Sequence, residues 1–157
     1  DYTVSKRMLS SFVSSYKHDF THWHFYIPTI YGAGENPKRL IPYVIDAIRN
    51  GEELHFTAGD QTRQYVHVSE VPRMLAQAFD KSLPSGLYNI QGKETVTVKE
   101  IVTEIHHAMG KEVPDGCFGS VQRADVGMKY LALDGKKLHD ATGFEASIKI
   151  TDVIDTY

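Results

Sequence analysis

Hydrophobic spacing along this chain switches repeatedly between two periods, and that alternation narrows the available folds more than any other feature. Val4, Met8, Phe12 and Tyr16, with Leu9 and Val13 beside them, repeat at helical spacing over residues 2–17. The run HWHFYIPTIYG then reads as a strand entering a loop, ended by Gly32 and Gly34. A helix follows Pro37, with Ile41, Val44, Ile45 and Ile48 as its stripe and Asn50-Gly51 as its stop. Short strands at 54–56 and 64–68 come next, and Ser69 reads as the N-cap of a helix through Lys81. Residues 87–90 form a strand between Gly86 and Gly92. Thr97 and Glu100 make a capping box for a helix through Met109, ended by Gly110. Residues 110–125 read as loop, 130–133 as a strand, and Asp134 as the cap of a short helix through Ala141. A last helix starts at Thr151-Asp152. Strands alternating with helices place the chain in the α/β class.

Composition excludes several functions. The net charge is only −3, with no basic stripe of the kind that binds nucleic acid. No run of apolar residues is long enough to form a membrane-spanning helix, and the first residues do not resemble a secretory signal. Cys117 is the single cysteine, so no internal disulfide forms, and a reducing, cytoplasmic setting is expected. That thiol reads as a bystander rather than a nucleophile. His22 and His24 share a strand face, and His106 and His107 are adjacent on a helix. A zinc site needs three or four converging ligands, which this spacing does not supply, so no metal is expected.

One pair carries chemistry. In DYTVSK, Tyr2 stands four residues before Lys6, so the two share a helix face and can meet one ligand. A phenol titrates near ~10, too high for a base at neutral pH. A neighbouring ammonium favours the phenolate and lowers that value. A tyrosine so activated can take the proton of a sugar hydroxyl as hydride leaves the same carbon. The pair alone is a weak signal, better read as a tyrosine and a lysine exposed at a helix end.

Three longer stretches bear on that choice. The segment PTIYGAGENPKRLIPYVIDAIRNGEELHFTAGDQTRQYVHVSEV resembles the middle of the extended short-chain dehydrogenases/reductases, the NAD-dependent nucleotide-sugar epimerases and dehydratases. That family shows a YGPG-like turn, an L-I-P before a helix and a G-D-x-x-R-D strand. GLYNIQGKETVTVKEIV is similar to its next segment, and QRADVGMKYLALDGKKLHDATGF resembles its closing pattern. The blocks keep their order over essentially the whole chain.

The resemblance implies an α/β chain that is the C-terminal part of a Rossmann-type NAD(P)-binding fold plus the smaller substrate-binding domain. Residues 1–35 would end the dinucleotide-binding fold with the catalytic helix and the following strand. Residues 36–157 would be mainly the nucleotide-sugar-binding domain, with 60–82 returning to the Rossmann fold. Neither GxGxxG nor GxxGxxG occurs, so the phosphate loop is expected in polypeptide preceding Asp1, and the fragment alone is expected to be inactive. By the same resemblance DYTVSK is the family's YxxxK. Tyr2 would be the acid/base, and Lys6 would hold the nicotinamide ribose and tune Tyr2. Pro28 and Thr29 would touch the cofactor, NAD or NADP. Tyr31, Leu40, Pro42, His55, Phe56, Arg63 and Arg123 would line the site of a nucleotide-diphosphate sugar, the two arginines holding the diphosphate. Phe56 and Leu40 are equally explained by packing, and Asn89 is expected to pin backbone.

The implied reaction oxidises a sugar hydroxyl, at carbon 4, before epimerisation, dehydration or decarboxylation. The alternatives are an NADPH-dependent keto-sugar reductase, or a non-catalytic nucleotide-binding or scaffold relative. A homodimer is implied as well. The chain departs from the family pattern at Tyr26 and Thr29, where many members have Arg and Asn. It also has Gln64 and Glu70 where Asp is usual, and GAG where GPG is common.

Overall fold

In the computed structural model the described residues are 1–15, 19–122 and 128–157. Helix α1 (Tyr2–Ser15) leads to strands β1 (Trp23–Tyr26) and β2 (Thr29–Tyr31), then helix α2 (Leu40–Asn50). Strand β3 (Thr62–His67) and helix α3 (Glu70–Asp80) follow, then strands β4 (Gly86–Asn89) and β5 (Glu94–Thr97). Helix α4 (Val98–Ala108), strand β6 (Tyr130–Leu131), helix α5 (Lys136–Thr142) and two 3₁₀ turns, Ile150–Asp152 and Ile154–Thr156, complete the order. The expected helix face at Tyr16 lies outside the described residues.

The α/β class holds. The aromatic run expected as one strand is two, in different sheets. β1 pairs in parallel with β4, and β2 pairs in parallel with β3. The break falls at Ile27-Pro28, because proline has no N–H to give a ladder and restricts the residue before it. β3 also pairs antiparallel with β5 and parallel with β6. β5 escaped the sequence reading: its four residues flow straight into α4, so Thr97 ends a strand and caps a helix at once. The expected strand at 54–56 shrinks to one bridge between Phe56 and Phe118.

β3 is the hinge of the packing. Neighbouring residues of a strand point to opposite faces. Tyr65 joins one buried cluster with Ile41, Val44 and Ile45 of α2 and Ile101, Val102 and Ile105 of α4. Val66 joins the other, with Met74 and Ala78 of α3 and Leu83, Tyr88 and Ile90. Each fully buried aliphatic side chain contributes about 1.5–3 kcal/mol, so the two clusters anchor the fold. Gly92 lets the chain cross β3 closely, since a Cβ there would collide with the Tyr65 carbonyl.

Helix ends obey local chemistry in part. The capping box of α4 is complete: Thr97 Oγ1 accepts from the Glu100 N–H at 3.1 Å, and Glu100 Oε2 accepts from the Thr97 N–H at 2.7 Å. Replacing Thr97 with Ala is expected to cost about 1 kcal/mol, read as a lower urea midpoint with unchanged slope. Gly51 and Gly143 close α2 and α5 in the left-handed conformation, at φ 70° and 74°. Ser69 does not cap α3 with its side chain; its hydroxyl bonds His67 Nδ1 at 2.8 Å instead. The final helix expected from Thr151 is the pair of 3₁₀ turns.

Candidate functional site

The site is built where β2, the start of α2 and β3 meet. Thr29 and Tyr31 enter from β2, Leu40 from α2, and Arg63 and Tyr65 from β3; with His55 and Phe56 from the connecting segment they line an open cleft of about 830 Å³. Parallel pairing of Thr29 with Tyr65 and Tyr31 with His67 sets this geometry. The cleft thus gathers six of the residues proposed from sequence: Thr29, Tyr31, Leu40, His55, Phe56 and Arg63. Its volume is in the range of small-molecule sites.

Its electrostatics suit an anion. Lys38, Arg39 and Arg63 face Glu35 and Asp60. The N-terminus of α2 opens on the same space, and its N-cap Arg39 supplies no side-chain cap. Uncapped N–H groups and the helix dipole favour negative charge there. Arg63 is partly buried and donates to its neighbour's carbonyl, Thr62 O, at 2.8 Å. Glu35 ties the rim together, bonding Arg39 at 3.2 Å and accepting from the Tyr157 hydroxyl at 2.7 Å. Lys38, Arg39 and Glu35 were not singled out from the sequence. Their signal was the basic pair Lys38-Arg39 directly before a helix start.

Neither cleft tyrosine is a base near neutral pH. Burial pushes the Tyr31 phenol far up, with Glu94, Asp152 and Glu70 adding to it. Its hydroxyl donates to Ile148 O at 3.0 Å. Burial also raises Tyr65, to about 12, against the opposing pull of Arg63 and Arg39. Both stay protonated and serve as shape and hydrogen-bond donors.

Phe56 lies at the cleft wall, but its ring stacks on Phe118 at 5.4 Å and meets Tyr43 edge-on at 6.2 Å. Pro28 and Pro42 are buried behind the lining rather than on it. Arg123 lies outside the described residues, although Val121 and Gln122 reach the cleft. Gln64, in the place of an aspartate, is buried and bridges β3 to the 133 segment: its amide donates to Leu133 O at 3.2 Å, and its carbonyl accepts from Leu133 N at 3.2 Å. The Asn89 amide donates to Asp134 O at 3.0 Å, the backbone role expected of it.

Tyr2 and Lys6 are not part of the cleft lining. They share one face of α1, with Lys6 Nζ 5.4 Å from the Tyr2 ring centroid. No residue of α1 is buried, and Tyr2 is 76% exposed. The helix is fastened to β1 by Ser10 Oγ and His24 Nε2, 3.0 Å apart. A phenol and an ammonium on one open face are a donor set able to meet a ribose. Among the described residues no group of three or more His, Cys, Asp or Glu could hold a metal ion, and no helix is long and apolar enough to cross a membrane.

Comparison with known proteins adds independent findings. A model of the NAD dependent epimerase/dehydratase family matches residues 1–90. CDP-abequose synthase from Salmonella typhimurium is 22% identical over 147 residues, covering 87% of this chain and 48% of the relative. The dTDP-glucose 4,6-dehydratase of Streptomyces griseus is 26% identical over 127 residues, covering 78% of this chain and 37% of the relative. The structure of MoeE5 in complex with UDP-glucuronic acid and NAD superimposes with a TM-score of 0.73 at 23% identity, covering 98% of this chain and 51% of that one. The chain therefore spans about half or less of the length of these relatives, and the structural likeness shows the fold.

Proposed function

Because the chain belongs to the NAD-dependent epimerase/dehydratase family, we propose that the protein containing it acts on a nucleotide-diphosphate sugar with NAD or NADP. The observation that carries this reading is the cleft: three cationic side chains and an uncapped helix N-terminus around a space of about 830 Å³. A diphosphate is the ligand such an arrangement favours, and arginine's planar fork suits its oxygens. Arg63 holds the diphosphate, with Arg123 as its second clamp. Tyr31, Leu40, Pro42, His55 and Phe56 shape the nucleotide and sugar ends. Residues 1–35 belong to the cofactor side and 36–157 mainly to the sugar-nucleotide side, with 60–82 returning to the first.

The chemistry we propose is oxidation of a sugar hydroxyl at carbon 4. Bound NAD would supply the hydride acceptor. Tyr2 takes the hydroxyl proton through its phenolate, and Lys6 stabilises that phenolate by its positive charge. Lys6, with Pro28 and Thr29, positions the ribose and carboxamide of the cofactor. The keto sugar then undergoes epimerisation, dehydration or decarboxylation. The open apolar face of α1, with Val4, Met8 and Leu9 exposed, supports a homodimer, and a cytoplasmic location fits the single reduced cysteine.

Replacing Arg63 with Ala in the full-length protein tests the binding half of this reading. Losing a charge-assisted contact of about 1.5–3 kcal/mol is expected to weaken UDP or dTDP about 10- to 100-fold. NAD affinity should change less than about twofold by calorimetric titration. Equal weakening of both ligands, with the melting temperature intact, overturns the assignment of Arg63.

A further inference from the structure

Residues 147–157 bond to the cleft without lining it. Ile148 O accepts from the Tyr31 hydroxyl at 3.0 Å, and the Tyr157 hydroxyl donates to Glu35 Oε1 at 2.7 Å. Tyr31 and Glu35 are cleft residues, whereas Tyr157 is not. Other elements hold the same segment. Glu70 takes the Ser147 and Ile148 N–H groups, and Glu94 Oε2 accepts from Ile150 N at 2.9 Å. Ile150 and Ile154 are buried in the cluster shared with α2 and α4, and Tyr157 packs against that cluster. The Tyr157 ring is therefore placed by burial and backbone bonds, independently of Glu35.

Glu35 is the group that Tyr157 reaches. Its side chain is 11% exposed, and a carboxylate so enclosed needs partners. Its two oxygens are divided between two of them. Oε1 takes the Tyr157 hydroxyl, with the Gly32 N–H at 3.5 Å, and Oε2 lies 3.2 Å from Arg39 Nε. Burial, and then Glu35 itself, push the Tyr157 phenol up, so it keeps its proton and remains a donor.

That division sets the posture of Arg39. Glu35 engages its Nε, and among the described residues no hydrogen bond engages its two terminal nitrogens. Those nitrogens form the planar edge that fits phosphate oxygens in pairs. Arg39 and Arg63 both pull on the Tyr65 phenol, so the two guanidiniums face one end of the cleft. An arginine already held in its binding posture loses less freedom when a ligand arrives than one that must first be ordered.

We propose that Tyr157 is a positioning residue for the anion site: it fixes Glu35, and Glu35 presents the terminal edge of Arg39 to the diphosphate beside Arg63. This rests on the reading of the cleft as a nucleotide-diphosphate site. It adds to that site a residue 122 positions from Glu35 in the chain. Tyr157 touches no ligand and carries no charge, so its effect is confined to how Arg39 is held.

The test is Tyr157→Phe in the full-length protein, titrated with UDP by calorimetry beside Arg39→Ala and the double variant. Tyr157→Phe keeps the packed ring and removes one oxygen. It is expected to bind UDP about three- to tenfold more weakly than wild type. Arg39→Ala is expected to weaken UDP at least about tenfold, and adding Tyr157→Phe to it less than about twofold further. A tyrosine that only stabilised the fold would instead weaken UDP by the same factor in both backgrounds. The proposal is overturned by that additivity, by unchanged UDP affinity in Tyr157→Phe or in Arg39→Ala, or by tighter binding in Tyr157→Phe, which would make Glu35 a mask on Arg39. In each of those outcomes wild-type protein binds UDP and the reading of the cleft stands. Wild-type protein that binds no UDP overturns that reading first, and this inference with it.

Discussion

Replacing Tyr2 with Phe in the full-length protein is expected to lower turnover about 100- to 10,000-fold, the usual worth of a positioned acid/base. The change removes one oxygen from a side chain that is 76% exposed. The fold should therefore not notice it, and the melting temperature should stay within about 1 °C. Nucleotide-sugar binding should persist, because the phenol lies outside the cleft that gathers Lys38, Arg39 and Arg63. Steady-state kinetics with calorimetry separates these effects. A variant that turns over normally would remove Tyr2 from the chemistry and require another group as the acid/base; a parent protein with no turnover to lose would leave a nucleotide-binding or scaffold role for the fold.

The largest stability effect is expected at Glu70. Its side chain is almost wholly buried, at 1% exposure, at the start of α3. One carboxylate oxygen accepts from Ser147 N at 2.8 Å, Ile148 N at 3.0 Å and the Ser147 hydroxyl at 3.1 Å. The other oxygen takes the Arg73 guanidinium. Glu70 thereby fastens the C-terminal segment to α3. Replacing it with Ala orphans two backbone N–H groups at about 1–3 kcal/mol each. The total loss should be about 2–5 kcal/mol, or roughly 10 °C in melting temperature. Glu70→Gln keeps one acceptor and should fall between.

The same residue gives the protein an acid limit. Burial alone pushes the Glu70 carboxyl up, but the Ser147 N–H, the Arg73 side chain and the Ile148 N–H outweigh it and hold it below its ordinary value. The stabilisation is complete above the unfolded carboxyl's value, near ~4.3, and disappears as pH falls through the lower folded one. Wild-type protein should lose stability across that acid window more steeply than Glu70→Gln. Parallel pH profiles for the two would assign the acid sensitivity to other carboxylates.

Much of the fold is legible because it is local. Helical spacing and the stop at Asn50-Gly51 mark α2, and the Thr97/Glu100 box marks the start of α4 to the residue. Ile27-Pro28 shows the limit of that reading. Both flanking runs look like strand, and only the partners available in space, β4 for one and β3 for the other, assign them to different sheets. β5 was missed for the same reason, since an edge of four residues becomes a strand only by pairing with β3. In the cleft, Arg63, His55 and Thr29 were marked by motif, whereas Arg39 and Lys38 needed coordinates to show that the α2 N-terminus opens beside them.

The sequence by itself determined the α/β alternation, the capping box of α4, the glycine ends of α2 and α5, and the Tyr2–Lys6 spacing that puts both groups on one helix face. Those follow from short-range geometry, in which each residue meets neighbours three or four positions away. Ser69 and Asp134, by contrast, do not cap α3 and α5 as expected, α5 starting from Gly135. Only the tertiary structure decided that Glu70 clasps residues 147 and 148, that Phe56 is occupied by Phe118, and that Gln64 bridges β3 to Leu133. Each of those depends on chain segments brought together by burial of the two clusters on either side of β3. Burial is non-directional and proportional to area, so it leaves no periodic mark by which the partners could be read in advance.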